Sequence, residues 1–157
     1  MAGTPRRPLL LLSVLLIGLA SCGFTPVYAP GTDSSAILSE IEIAEPRNEQ
    51  GYLFVREMED RLGRPSNATK LLNYKITIRG EGVESDTERR RFVGAVNYEL
   101  IDLKTRAVLE RGTVDSFAGY SVSDGLFSSA RQDAIKRLVI ILADQVTREL
   151  IVKLAAP

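Results

Sequence analysis

The chain has 157 residues, with 20 basic and 20 acidic side chains, one cysteine and no histidine. This balance of charge argues against a nucleic-acid-binding protein, which would show a net basic footprint. The lack of histidine removes the most common general base and metal ligand, and a single cysteine leaves no internal disulfide to stabilise the fold.

The first 21 residues have the layout of a secretory signal peptide. Arg6 and Arg7 precede the uncharged apolar run Leu9–Leu19, which is about 11 residues long and shorter than the roughly 20 that a membrane-spanning helix needs. Cys22 follows the small residues Ala20 and Ser21, an arrangement that resembles the cleavage and acylation site of bacterial lipoproteins. We expect residues 1–21 to be removed and Cys22 to carry fatty acyl chains such as palmitate. The alternative is an ordinary signal peptide with a cysteine nearby by chance.

The predicted mature chain has 136 residues, a length sufficient for one domain with a core of its own. It carries 18 basic and 20 acidic side chains. Residues 22–36 contain Pro26, Pro30 and Gly31 and are predicted to form an acylated tether. Residues 37–157 are predicted to form a single domain. Gly23 stands where an aspartate would resemble an inner-membrane retention signal, which favours the outer membrane.

The first part of this domain predicts a strand followed by a helix. Ile41 and Ile43 alternate with glutamates within residues 37–44, a pattern typical of a half-buried strand. Asn48 is a suitable N-cap for a helix over residues 49–62. The residues expected on the buried side of that helix are Leu53 or Phe54, Met58 and Leu62.

Three further strands are predicted over residues 71–83, 89–103 and 107–120, joined by short connections that favour an antiparallel meander. The middle strand carries two alternating sets. The first set contains Phe92, Gly94, Val96, Tyr98 and Leu100. The second contains Val93, Ala95, Asn97, Glu99 and Ile101. In the last strand, Val108, Val114, Ala118 and Tyr120 share one parity.

Residues 126–154 give the strongest helical pattern. Two neighbouring rows mark it: Ala134, Leu138, Ile141, Gln145 and Arg148 in one, and Ile135, Leu142, Val146 and Leu150 in the other. The element order is then β-α-β-β-β-α. It predicts an α+β fold, a two-layer sandwich with a four-stranded mixed sheet and two helices on one face, in which the first strand pairs in parallel.

With these elements in place, the chain resembles the LPS-assembly lipoprotein family (LptE) in its alphaproteobacterial form. The resemblance covers roughly residues 22–151 and rests on the acylated start from Cys22 to Tyr28, the central hairpin and the closing helix. In the hairpin it involves Thr87, the arginines that follow and the run from Tyr98 to Asp102. In the closing region the matching residues are Tyr120, Phe127–Ala130, Asp133, Ala134 and Ala143–Gln145.

The resemblance implies a structural role and no catalysis. Members sit at the inner leaflet of the outer membrane, facing the periplasm, and dock inside the β-barrel that exports lipopolysaccharide. They act as a plug, help the barrel to assemble and contact lipopolysaccharide in transit. The alternative is an accessory or pilot lipoprotein of another outer-membrane machine, because small α/β domains serve many such roles.

Two sets of residues are candidates for these contacts. Arg89, Arg90 and Arg91 are expected to touch the phosphates of lipopolysaccharide or acidic groups of the barrel, although acidic neighbours leave a solvated, internally balanced strand end as the alternative. Val93, Ala95 and Ile101 form a partly apolar strand face that a partner could bury. Ordinary exposed sheet surface is the alternative there.

No constellation in the sequence predicts an enzyme. Glu57, Glu59 and Asp60 are close together, but arginines bracket them, which favours a charged solvent-exposed helix face over a pair of catalytic carboxylates. We expect no metal and no cofactor. An enzyme or small-ligand carrier would need a deep pocket with converging polar groups.

Overall fold

A computed structural model describes residues 38–83, 86–121 and 127–155. The elements are β1 (Ile41–Ile43), α1 (Glu49–Leu62), β2 (Lys70–Val83), β3 (Asp86–Asp102), β4 (Val108–Ser121) and α2 (Phe127–Ala155). The strands form one sheet in the order β1-β2-β3-β4. β1 pairs with β2 in parallel and the other pairs are antiparallel, as predicted.

β1 is much shorter than the predicted strand over residues 37–44. Its three residues pair with the first three residues of β2, Lys70 to Leu72. Leu38, Ser39 and Glu40 adopt helical and turn conformations, so the strand begins only at Ile41, and Pro46 soon turns the chain towards α1. Residue 37 itself lies outside the described residues.

Helix α1 has the predicted bounds because its two ends carry clear local signals. The Asn48 side chain accepts a hydrogen bond from the backbone nitrogen of Gly51 at 2.8 Å. Gly63 ends the helix with a φ of 83°, a backbone conformation that glycine adopts without a steric penalty. Phe54, and not Leu53, is the fully buried residue of the predicted pair, together with Met58.

Two irregularities interrupt the meander. The register between β2 and β3 shifts between Gly82 and Val83, at the end of the Gly80-Glu81-Gly82 stretch. The register between β3 and β4 shifts between Leu100 and Ile101, because Leu100 faces Glu110 whereas Ile101 faces Val108. Leu109 is therefore an extra residue in β4, which makes this a β-bulge.

Both helices pack on one face of the sheet, as the sequence predicts. The first alternating set of β3 is buried there, and its members are Phe92, Gly94, Val96, Tyr98 and Leu100. Gly94 allows α2 to approach closely, because a Cβ at this position would lie 3.0 Å from side-chain atoms of Leu138 and Leu142. Met58 of α1 meets Thr147 of α2, with 3.3 Å between the sulfur and the hydroxyl oxygen.

The buried side of α2 corresponds to the predicted rows only in part. The helix buries two neighbouring rows, each spaced by four residues: Ala134, Leu138, Leu142, Val146 and Leu150 in one, and Val139, Ala143, Thr147 and Ile151 in the other. Ile141 and Arg148 from the first predicted row are exposed, because that row runs nearly parallel to the helix axis, whereas the buried rows follow the i, i+4 ridges, which are inclined to it. No helix in the described part of the chain is both long and apolar enough to cross a membrane.

Candidate functional site

The candidate site is the face of the sheet that the helices leave uncovered, called here the open face. The second alternating set of β3 lies on it, so the structure places Val93, Ala95 and Ile101 where the sequence predicts. All three are half-buried by cross-strand neighbours although no described helix covers them. Whether a partner buries them further remains a prediction.

The open face has an apolar and basic group of residues at one end. Val93 lies between Arg79 of β2 and Phe117 of β4. The Phe117 side chain is 63% exposed, and the Arg91 guanidinium lies 6.0 Å from the centre of its ring. We call Arg79, Arg91, Val93 and Phe117 the distal patch. It combines exposed apolar area with positive charge.

The opposite end of the open face is apolar without an adjoining basic cluster. Ile101 faces Leu71 on one side and Val108 on the other. Val108 is 41% exposed and belongs to this face, although its parity in the sequence groups it with Val114, Ala118 and Tyr120. The grouping fails because the bulge at Leu109 shifts the alternation by one residue.

Polar residues separate these two ends. Lys75, Asn97 and Thr113 lie side by side across β2, β3 and β4, and the Thr113 hydroxyl donates to the Asn97 side-chain oxygen at 2.8 Å. Glu99 and Arg111 face one another in the next row. The open face is therefore apolar at both ends and polar in its centre.

The arginine cluster is divided between the two faces of the sheet. Arg91 lies on the open face, and its guanidinium donates two hydrogen bonds to one Glu81 carboxylate oxygen, at 2.9 and 3.1 Å. By strand alternation, Arg89 shares this face. Arg90 points to the other face, opposite Gly82 and Tyr120. All three side chains nevertheless line one depression of about 320 Å³ at this end of the sheet, together with Phe117 and Tyr120.

Arg90 lines a depression of about 570 Å³ at the end of the sheet, beside the start of α2. Its apolar wall is a stacked pair, Phe92 and Tyr120, with ring centres 5.3 Å apart. Arg131 of α2 places its guanidinium 5.6 Å from the centre of the Phe92 ring. Neither Arg90 nor Arg131 forms an ion pair with a carboxylate of the described residues, so two guanidinium groups are available beside an aromatic wall.

The acidic residues of α1 are paired with arginines. Glu57 binds Arg56 at 3.0 Å and Arg61 at 3.1 Å, and Glu59 binds Arg64 at 2.7 Å. The hydrogen bond from Arg56 lowers the pKa of Glu57 below its usual range, the opposite of what a general acid needs. Among the described residues no group of three or more Asp, Glu, His or Cys side chains could hold a metal ion.

Phe117 and Arg131 lie at these places although neither was predicted as a site residue. Strand alternation places Phe117 on the opposite face of β4 from Val114 and Ala118. A large aromatic side chain on the predicted solvent-facing side could therefore have marked it as a candidate contact residue. Arg131 had no such signal, because it meets Phe92 only after α2 folds back onto the sheet. The predictions for Cys22 and for residues 1–36 lie outside the described residues.

Comparison with known proteins gives matches at the level of structure. No protein-family profile and no curated protein matches the chain. A protein from Caulobacter crescentus described as a lipoprotein has a TM-score of 0.67 and 25% identity, over 79% of this chain and 97% of its own. A minor lipoprotein from Acinetobacter baumannii has a TM-score of 0.57 and 14% identity, over 71% and 88% of the two chains. Rare lipoprotein B from Shewanella oneidensis has a TM-score of 0.53 and 10% identity, over 71% and 91%.

These matches show that the chain has a fold found in bacterial lipoproteins. The coverage of the three structures is nearly complete, so the similarity extends over their whole domain and not over a single motif. The same fold hosts different functions in general, and the role of this chain must be argued from its own surfaces.

Proposed function

We propose that the chain is a lipid-anchored outer-membrane lipoprotein that faces the periplasm and serves as a plug and assembly subunit of the β-barrel that exports lipopolysaccharide. Cys22 carries the lipid in this proposal. The role is one of binding and requires no catalysis. The lipoprotein structures of the same fold and the resemblance of residues 22–151 to the LPS-assembly lipoprotein family support it.

The observation that carries the proposal is the composition of the open face. A barrel lumen is lined by polar side chains, so a domain that enters it must present a surface that is largely polar and still able to make apolar contacts. The polar centre of the open face fits the first condition, and Val93 and Phe117 fit the second.

We assign the contact with lipopolysaccharide to the depression beside Arg90 and Arg131. A lipid phosphate needs a charge-assisted donor, and the adjoining fatty chains need an apolar surface. Arg90 and Arg131 supply the donors and the Phe92–Tyr120 stack supplies the surface. Arg91 is less suited to this role because Glu81 already occupies its guanidinium.

Affinity isolation of the full chain from mild-detergent extracts of native membranes tests the main proposal. We expect an integral outer-membrane β-barrel to co-purify, identified by mass spectrometry and by cross-links to the open face. Repeated recovery of a lone lipoprotein would contradict the proposal. Recovery of a different outer-membrane machine would support an accessory or pilot role instead.

The lipid anchor can be tested on the same chain. Cys22→Ala removes the only sulfur that can be acylated, so the variant should leave the outer-membrane fraction. Intact-mass measurement of the wild-type protein should show acyl chains on the mature N-terminus. An unmodified thiol at Cys22 would remove the anchor from the proposal.

The site of contact with lipopolysaccharide is tested with matched arginine variants of the full chain. Arg90→Ala and Arg131→Ala should each weaken binding to lipopolysaccharide micelles severalfold, and the wild-type affinity should fall as salt rises. Arg91→Ala is the control, since its charge is paired, and it should have a smaller effect. Equal losses in all three variants would indicate general charge attraction and not this depression.

A further inference from the structure

β4 is the last strand of the sheet and has no strand on its outer side among the described residues. An exposed edge strand is a template for pairing with another chain, and proteins usually protect such edges. β4 is 14 residues long and contains no proline. Some other feature must therefore limit pairing along it.

Two basic side chains of α2 bind backbone carbonyls of β4. The Arg137 guanidinium donates to the Gly119 carbonyl at 2.9 Å, and the Lys153 ammonium donates to the Arg111 carbonyl at 2.6 Å. The spacing of these contacts follows from geometry. Sixteen residues of helix rise about 24 Å, and eight residues of strand extend about 26 Å, so α2 runs along the strand and reaches it at two separate places.

The Arg111 and Gly119 carbonyls point to the same side of β4. In a strand, the groups of alternate residues point to opposite sides, and residues 111 and 119 have the same parity. Both carbonyls accept exposed hydrogen bonds from side chains, so we assign this parity to the outer edge. Thr113, Asp115 and Phe117 then present their backbone groups to the outside, between the two occupied positions.

Asp115 lies midway between Arg111 and Gly119. Antiparallel pairing with the β4 strand of a second copy would centre on this residue. In any other register the second strand would overlap a position that Arg137 or Lys153 occupies. The centred register places Asp115 directly opposite Asp115 of the other copy. Like charges directly opposite one another destabilise a pair of strands.

We infer that Arg137, Lys153 and Asp115 together prevent β4 from pairing with the β4 strand of a second copy. The two cations occupy the carbonyls at each end of the available edge, and the carboxylate opposes pairing at its centre. This function is independent of the proposed role in lipopolysaccharide export.

Sedimentation of the full chain in density-matched detergent tests the inference. The edge variant carries Asp115→Thr, Arg137→Ala and Lys153→Ala, and should self-associate at least tenfold more tightly than the wild type. The matched control carries Asp133→Thr, Lys136→Ala and Arg148→Ala, the same changes at exposed or half-exposed positions of α2, and should behave as the wild type.

A proline variant tests whether the new contact uses this edge. Asp115→Pro with Arg137→Ala and Lys153→Ala has the same charge as the edge variant but lacks the outward N–H at position 115. It should return to the association of the control. Circular dichroism establishes that each variant is folded, and if the edge variant is not, Arg137→Gln with Lys153→Gln replaces it. A folded edge variant that associates no more than the control, or a dimer that the proline leaves intact, would overturn the inference.

Discussion

Gly112 and Tyr98 face one another across β3 and β4, and this pair shows how tightly the helix-covered side of the sheet is packed. The Tyr98 ring lies over the space that a side chain at position 112 would occupy. A Cβ there would be 2.5 Å from the Tyr98 hydroxyl oxygen, which is closer than real contacts allow. The glycine is therefore required by packing and not by its backbone conformation.

Gly112→Ala should lower the free energy of unfolding by about 1–3 kcal/mol, because Tyr98 must move in a filled core. Gly119→Ala is the matched control in the same strand, since its nearest neighbour would be a carbonyl oxygen 3.8 Å away. Urea denaturation measures both. A loss at Gly119 as large as that at Gly112 would show that the added methyl group itself, and not the clash, is responsible.

Tyr98 also makes the stability depend on pH. Its hydroxyl oxygen is buried without a hydrogen-bond partner among the described residues. Burial, aided by the negative charge of Glu149, raises the pKa of Tyr98 from 10.0 to about 12. The folded chain thus retains the proton at pH values where the unfolded chain loses it, so this contribution to stability is complete below pH 10 and is lost as the pH rises towards 12.

Tyr98→Phe should make the decline in unfolding free energy between pH 10 and 12 shallower. At pH 7 the variant should be within about 1 kcal/mol of the wild type, because the lost hydroxyl makes no hydrogen bond with a described residue. Lys153 remains in the variant and retains part of the decline, since its hydrogen bond to Glu149 raises its pKa. Urea denaturation at several pH values measures the slope, and identical slopes would exclude Tyr98 as its source.

At the scale of the elements, α2 is the helix that closes the core. Leu142 is fully buried against Gly94, whereas its neighbour Ile141 is 37% exposed. The two residues are adjacent in sequence and similar in volume, so their different burial comes only from the direction in which α2 presents them. They form a matched pair for measuring what the contact between helix and sheet contributes.

Leu142→Ala should cost about 2–5 kcal/mol of unfolding free energy, because it leaves a cavity between α2 and the sheet. Ile141→Ala should cost about 1 kcal/mol or less, since solvent already reaches this side chain. Chemical denaturation of the two variants gives the comparison. Similar losses would mean that α2 does not pack on the sheet in this orientation.

In the molecule as a whole, α1 and α2 cover one side of the sheet, and no helix among residues 38–83, 86–121 and 127–155 covers the other. Substitutions on the open face should therefore affect binding more than folding. Phe117 on the open face and Tyr52 on α1 are both aromatic and both 63% exposed, so they differ mainly in where they lie.

Phe117→Glu should reduce recovery of the barrel at least severalfold in affinity isolation and change the unfolding free energy by about 1 kcal/mol or less. Tyr52→Glu should leave recovery unchanged, because α1 lies on the other side of the sheet. Quantitative mass spectrometry of the isolated complexes checks both variants. Equal recovery with Phe117→Glu would remove the distal patch from the proposed interface.

Four features could be predicted from local sequence patterns: the element order, the parallel pairing of β1, the bounds of α1 and the two faces of β3. These features depend on local signals, such as the Asn48 cap, the turn at Gly63 and strict alternation along a strand. Alternation along β3 also directs the Arg90 side chain to the opposite face of the sheet from Arg89 and Arg91.

Three further features could be known only once the chain is folded. The bulge at Leu109 moves Val108 to the open face, the folding of α2 onto the sheet brings Arg131 to Phe92, and the same helix places Arg137 at the outer edge of β4. Each depends on the register between strands or on the distance between elements far apart in the chain. Hydrophobic periodicity extends over a few residues and carries no information on such pairings, so packing of the complete domain sets them.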